Sequence, residues 1–263
     1  MVPELGPRLQ RAFRYAAEKH AGQARKGTAV PYLSHLIAVA SLVLEAGGDE
    51  EMAIAALLHD VVEDCGGMPR LREIRKQFGR RVAKIIEGCT DSFTQPKPEW
   101  IERKKEYLGG VKHADDETRL VSASDKLHNV RTILTDYRQN GEAIWTRFNG
   151  KKEGTLWYYR ALSEEYARKP NRITRELEIV VTELERAVGW SARSEFPHIA
   201  KSAVRAAPGG AQPRQGRGPS APLRAGSAPS PHKTTPSLRG KAPLPHDTTS
   251  SPHRSSSQRT VGK

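Results

Sequence analysis

Through residue 190 the apolar positions recur three and four apart, the spacing that lines one face of an α-helix, and glycine or proline interrupts the rhythm at intervals. Residues 8–20 place Leu9, Ala12, Phe13, Ala16 and Ala17 on one stripe. After a loop with two glycines and Pro31, Ser34 is set to cap a second helix that begins at His35 and runs through Leu36, Ile37, Val39, Leu42 and Val43 to Gly47-Gly48. Asp49 caps a third, with Glu50 and Glu51 in the first turn where carboxylates suit the helix dipole; its pattern predicts one continuous helix to Asp64. Two short amphipathic helices, 70–78 and 81–87, divide at Gly79, and a polar turn over 88–92 leads to Pro96-Lys97-Pro98. Residues 99–113 form a charged helix whose Arg103, Lys104, Lys105 and Lys112 read as a solvated face. Asp115 and Asp116 open a helix with a buried stripe from Leu120 to Leu134, and segments 143–148, 156–166 and 173–190 complete the set, their aromatic residues read as core. No strand of useful length alternates with period two, so the predicted fold is all-α, a bundle of about eight to ten helices.

Composition divides the chain at residue 190. Residues 1–190 hold enough Leu, Ile, Val, Ala and aromatic side chains for a sizeable core, whereas 191–263 turn to Pro, Ser, Gly, Ala, Arg and His, a composition expected to stay disordered. The tail has twelve Lys or Arg against Glu195 and Asp247 and so carries +10 of the net +13. The predicted domain is therefore not unusually basic, and weak nucleic-acid contact is an expectation for the tail alone. Two cysteines without pairing pattern, and no apolar run of membrane or signal length, lead us to expect a soluble, cytoplasmic protein.

One stretch changes the picture. The apolar run Ala53-Ile54-Ala55-Ala56-Leu57-Leu58 is followed directly by His59-Asp60-Val61-Val62-Glu63-Asp64, charged groups where burial is expected and where charge is seldom buried unpaired. A metal ion is the simplest partner. Asp125 poses the same problem inside the stripe of its own helix, and His35 opens another. Together His35, His59, Asp60 and Asp125 offer two imidazoles and two carboxylates, a thiolate-free set suited to Mn²⁺, Fe²⁺, Co²⁺ or Mg²⁺ with coordination positions left open. The adjacent Arg25 and Lys26 read either as a solvated basic turn or as groups that hold phosphate or stack on a base.

The order His, His-Asp, Asp resembles the HD phosphohydrolase superfamily, and His59-Asp60-Val61-Val62-Glu63-Asp64 resembles the HDxxED motif of its RelA/SpoT-type (p)ppGpp hydrolases. Arg25-Lys26-Gly27, Pro31-Tyr32, Ser34-His35 and Asp125-Lys126-Leu127-His128-Asn129 resemble further motifs of that family over residues 8–170. The resemblance implies that His35, His59, Asp60 and Asp125 hold one Mn²⁺, and that Glu63 and Asp64 position and deprotonate the attacking water. It also implies that Arg25 and Lys26 flank a guanine, that Asn129 and Tyr158 pack at the nucleoside, and that Lys97, Arg103 and Lys104 receive distal phosphates. Only the hydrolase half of the bifunctional members is matched, as in a stand-alone alarmone hydrolase. The competing readings are another nucleotide phosphohydrolase, such as an NADPH 2′-phosphatase, and an HD-domain sensor with an RNA-contacting tail.

Overall fold

The computed structural model describes residues 5–93 and 96–191. Within them the chain forms α1 (Pro7–Lys19), α2 (Leu33–Glu45), α3 (Glu50–Leu58), α4 (Val61–Cys65), α5 (Gly67–Phe78), α6 (Arg80–Cys89), α7 (Trp100–His113), α8 (Asp116–Asn140), a 3-10 segment (Gly141–Arg147), α9 (Lys151–Ala167) and α10 (Arg172–Val188). No strand occurs among the described residues, and none of their helices is long and apolar enough to cross a membrane. The all-α expectation holds. The tail expected beyond the domain lies, after Ser191, outside the described residues.

Side-chain caps start the helices where polar residues precede apolar runs. Asp49 accepts from Met52 N at 3.0 Å, Asp115 from Thr118 N at 2.8 Å, and Asn171 forms a capping box with Thr174. Ser34 is not a cap, contrary to expectation. Tyr32 occupies that place, and the Ser34 hydroxyl donates to Pro31 O at 2.8 Å from inside the first turn of α2. Residues 88 and 89, expected in a turn, extend α6.

Apolar faces assemble two clusters. The first joins α1 to α6 around Leu36, Ile54, Leu58, Ile74 and Ile85; the second joins α7 to α10 around Leu127, Leu156, Leu162, Tyr166 and Leu177. α3 is apolar on every side, with Ala53 to Leu58 all buried, as befits a helix enclosed by its neighbours. The 25-residue α8 belongs to both clusters: Val121 packs in the first, Ala123, Leu127 and Val130 in the second. The seam between the clusters is where the polar residues of α2, α3 and α8 converge.

Candidate active site

The continuous helix expected from 50 to 64 is interrupted at His59 and Asp60, which fall between α3 and α4. Both keep right-handed backbone angles, and Asp64 N still donates to Asp60 O at 2.9 Å, so the axis is offset without unwinding far. The interruption delivers two consecutive side chains to one point. His59 Nδ1 donates to Ala56 O at 2.7 Å, and since a carbonyl only accepts, this bond leaves Nε2 as the nitrogen that faces inward.

His35 from α2 and Asp125 from α8 meet it there. His35, His59 and Asp125 are 1%, 2% and 5% exposed, and one ligand atom from each lies within 4.8 Å of the others. Asp125 Oδ1 stands 3.2 Å from His35 Nε2 and 3.6 Å from His59 Nε2; Asp60 Oδ2 stands 3.0 Å from His59 Nε2 and 3.6 Å from His35 Nε2. Both imidazole Nε2 atoms are buried without a hydrogen-bond partner among the described residues. Burial works to lower the pKa of His59, but Asp60 and Asp125 outweigh it and raise it well above the usual imidazole range. Burial likewise opposes ionisation of Asp60 and Asp125, yet the imidazoles, and for Asp125 the Lys126 ammonium, hold both carboxyls well below the usual range. Without a metal the inward Nε2 of His59 is held protonated against these carboxylates; a divalent ion would take the place of that proton, and this mixed N/O set fits one.

Hydrogen bonds brace each of these side chains, at the very carboxylate oxygens that face the imidazoles and, through Lys126, at the outer oxygen of Asp125. Tyr32 donates its hydroxyl to Asp60 Oδ2 at 2.5 Å; burial and the Asp60 charge raise the phenol pKa and keep it a donor. Asn129 Nδ2 donates to Asp125 Oδ1 at 2.5 Å, and Lys126 Nζ to Asp125 Oδ2. His35 Nδ1 and His128 Nδ1 share a bond of 2.8 Å. Such partners fix the orientation of metal-binding side chains.

A cavity of about 380 Å³ opens beside this cluster, lined by Asp60, Glu63 and Asp125, by Arg25, Lys26, Asn129, Arg103, Lys104 and Tyr158, and by Asp91, Lys126, Asp136 and Arg147. Arg25 is tied into it, Nη2 donating to Asn129 Oδ1 at 2.7 Å; Lys26 stays exposed in its turn, its Nζ reaching Asn149 Oδ1 at 3.3 Å. Gly27 lets this loop close on the opposite wall. It has φ +74°, and a Cβ there would lie 2.3 Å from Arg147 Cδ.

Arg103 and Lys104 correct the reading of α7 as a solvated face. Both turn inward onto the Asp91 carboxylate, at 2.6–2.8 Å and 2.6 Å, while Lys105 and Lys112 on the same helix are exposed. Lys97 Nζ bonds Glu63 Oε1 at 2.6 Å. Glu63 is raised in pKa by burial and by the charges of Asp91 and Asp60, against Lys97. Asp64, raised by burial and Asp60, accepts from Gln23 Nε2 at 3.0 Å and lines, with Glu63, a neighbouring cleft of about 490 Å³ instead of the cavity itself. Tyr158 is core and wall at once; its hydroxyl is buried without a partner among the described residues. Asp91, Lys126, His128 and Tyr32 had no assigned role in the residue-level reading. For Lys126 and His128 the available signal was adjacency to Asp125; for Asp91 there was none.

A helical bundle with a His, His-Asp, Asp cluster at its seam defines the HD class of metal-binding domains. The HD domain family matches residues 12–156, and the chain belongs to that family. Among its relatives, the guanosine-3′,5′-bis(diphosphate) 3′-pyrophosphohydrolase of Aquifex aeolicus is 39% identical over 132 residues, 50% of this chain but 18% of that one. The pyrophosphohydrolase MESH1 of Xenopus tropicalis is 39% identical over 125 residues, 46% of this chain and 67% of that one. The solved structure of a metazoan ortholog of SpoT that hydrolyzes ppGpp superposes with a TM-score of 0.58 at 27% identity, over 72% of this chain and 99% of the other.

Proposed function

We propose that this protein is a metal-dependent guanosine-3′,5′-bis(diphosphate) 3′-pyrophosphohydrolase, hydrolysing (p)ppGpp to GDP or GTP and pyrophosphate. The observation that carries the reading is the pair of orphaned imidazole nitrogens facing Asp60 and Asp125, placed beside a cavity that also holds Glu63 and a set of cations. Named relatives with that activity, one of them 67% covered by this chain, supply the substrate.

In this reading His35, His59, Asp60 and Asp125 hold one divalent ion, Mn²⁺ by family resemblance. When bound, such an ion screens phosphate charge and eases deprotonation of the attacking water. Glu63 accepts the water proton, and its raised pKa makes it a better acceptor than a free carboxylate. Asp64, steadied by Gln23, orients the water from the neighbouring cleft. Arg25 and Lys26 flank the guanine, Asn129 and Tyr158 bound the nucleoside, and Lys97, Arg103 and Lys104 take the 3′-diphosphate. Water adds at the phosphorus bonded to the ribose 3′ oxygen, that P–O bond breaks, the 3′ oxygen leaves with the nucleotide and takes up a proton to give GDP or GTP, and the added water oxygen departs in pyrophosphate. Two free cysteines suit a reducing cytoplasm, where stringent-response nucleotides are turned over. The basic tail is proposed to make only weak, screened contacts with nucleic acid.

The test is metal-supplemented hydrolysis with product identification on a nucleotide panel that includes ppGpp, pppGpp and NADPH. We expect GDP and pyrophosphate from ppGpp with Mn²⁺, and loss of turnover in Asp60→Ala and Asp125→Ala with helical circular dichroism retained. A folded, metal-loaded protein that leaves ppGpp intact overturns the assignment.

A further inference from the structure

Asp91 occupies an unusual place for a carboxylate in a loop. Its side chain is 6% exposed, just past the end of α6, and it lies in the wall of the cavity. Three hydrogen bonds converge on it. Arg103 Nη1 donates to Oδ1 at 2.8 Å and Oδ2 at 2.6 Å, and Lys104 Nζ donates to Oδ2 at 2.6 Å. The two cations are adjacent in sequence on α7, where neighbouring side chains ordinarily diverge by roughly 100°. Here both point to one acceptor.

That convergence has an electrostatic cost that Asp91 offsets. Arg103 and Lys104 are 10% and 17% exposed, so their mutual repulsion is poorly screened. Burial disfavours the charge on Lys104, the nearby Lys126 adds to that, and Asp91 is the largest influence restoring it. Further contacts complete the clamp: Arg103 Nε donates to Pro98 O at 3.2 Å, and Lys104 Nζ stands 4.9 Å from the centre of the Tyr158 ring. The Arg103 bonds to Asp91 use a single guanidinium nitrogen, Nη1. A guanidinium carries five donor hydrogens and an ammonium three, so both groups retain donors for an anion while still bonded to Asp91.

We infer that Asp91 is a positioning residue: its buried carboxylate holds Arg103 and Lys104 side by side as a preformed diphosphate-binding pair, without touching the reacting atoms. The inference deepens the proposed function and rests on it for the substrate, but not for the anion. Asp91 acts through the two cations, so its effect belongs to binding of the distal phosphates. A carboxylate that merely competed with the ligand for the cations would have the opposite sign.

Calorimetric titration of the full chain with inorganic pyrophosphate decides between them. We expect Asp91→Ala to weaken pyrophosphate binding about tenfold or more, the equilibrium equivalent of a lost charge-assisted hydrogen bond. Asp91→Asn, which keeps the shape without the charge, is expected to fall between, and Asp91→Glu to recover part of the affinity. In an Arg103→Met/Lys104→Met background, Asp91→Ala is expected to change pyrophosphate binding less than about twofold, because residues acting as one unit are not additive. With ppGpp as substrate, KM is expected to rise by the same factor; kcat also falls as far as the lost Asp91 charge lowers the basicity of Glu63, so the positioning role is decided by the titration. Tighter pyrophosphate binding in Asp91→Ala or Asp91→Asn overturns the inference, as does full additivity with the double variant. Because pyrophosphate binding is read without turnover, a wild-type chain that binds pyrophosphate but does not cleave ppGpp refutes the proposed substrate and leaves the role of Asp91 decided by the titration.

Discussion

Lys126→Met isolates the charge balance on which the site depends. Lys126 is enclosed by Tyr107, Tyr158 and Tyr166, with Nζ 4.8 Å from the Tyr107 ring centre, and it bonds the Asp125 oxygen that does not face the imidazoles. Burial opposes its charge, but Asp125 outweighs burial and holds it protonated. Methionine keeps the length and the packing while removing the positive charge. In protein stripped of divalent ions this leaves the imidazoles as the remaining counterparts of Asp125 on its inner oxygen, and breaking the buried pair from one side costs up to about 3–5 kcal/mol. For a domain of this size that loss lowers Tm by roughly 6–20 °C. A divalent ion at Asp125 replaces much of the missing charge, so the deficit narrows when Mn²⁺ is added and the metal-induced rise in Tm is larger in the variant than in wild type. Differential scanning calorimetry on both proteins, in EDTA and in excess Mn²⁺, measures the four midpoints. A deficit below about 1 kcal/mol in EDTA, or one that metal leaves unchanged, refutes the reasoning.

Two other perturbations probe separate parts of the molecule. Glu63→Gln, which removes the proton acceptor but leaves all four proposed metal-binding residues, is expected to cut kcat about 10²–10⁴-fold with Mn²⁺ affinity unchanged by calorimetry; retained turnover removes Glu63 from the base role. Asp115→Ala deletes the cap of α8 and is expected to cost about 1 kcal/mol at neutral pH. Burial works to raise the Asp115 pKa, but the Lys84 ammonium and the bonds from Thr118 outweigh it and lower it to about 2. A carboxyl depressed in the folded state adds stability above its unfolded pKa of about 3.9 and loses it as pH falls through the folded value. The gap between wild type and Asp115→Ala in urea midpoint therefore closes between about pH 4 and pH 2, and a gap independent of pH excludes this cause.

Much of the site was legible because buried charge is conspicuous against an apolar helical pattern. His59, Asp60 and Asp125 stood out for that reason, and His35 gained meaning only in their company. The break between Leu58 and Val61 was not legible, since residues on both sides continue the same periodicity and no glycine or proline marks the offset. Arg103 and Lys104 were read as surface because a run of charge on a helix ordinarily is; their partner lies twelve and thirteen positions upstream, beyond any local rule. Lys126 was obscured in the same way. A lysine within a helical stripe looks like the edge of the polar face until the tyrosines of α7 and α9 close over it.

Because α8 is shared by the two apolar clusters and also carries Asp125, Lys126, His128 and Asn129, cooperativity of the whole domain passes through the same few turns that hold the chemistry. Loosening either half reaches the site through α8, and through α2, which carries His35 and packs Val39 in the first cluster and Leu42 in the second. Amide protons near Asp125 are accordingly expected to exchange with solvent only on global opening, and those of α8 toward Asn140 sooner. Substitutions far from the cavity that weaken the Leu127 or the Val121 packing then register as lost metal occupancy before they register as an unfolded protein.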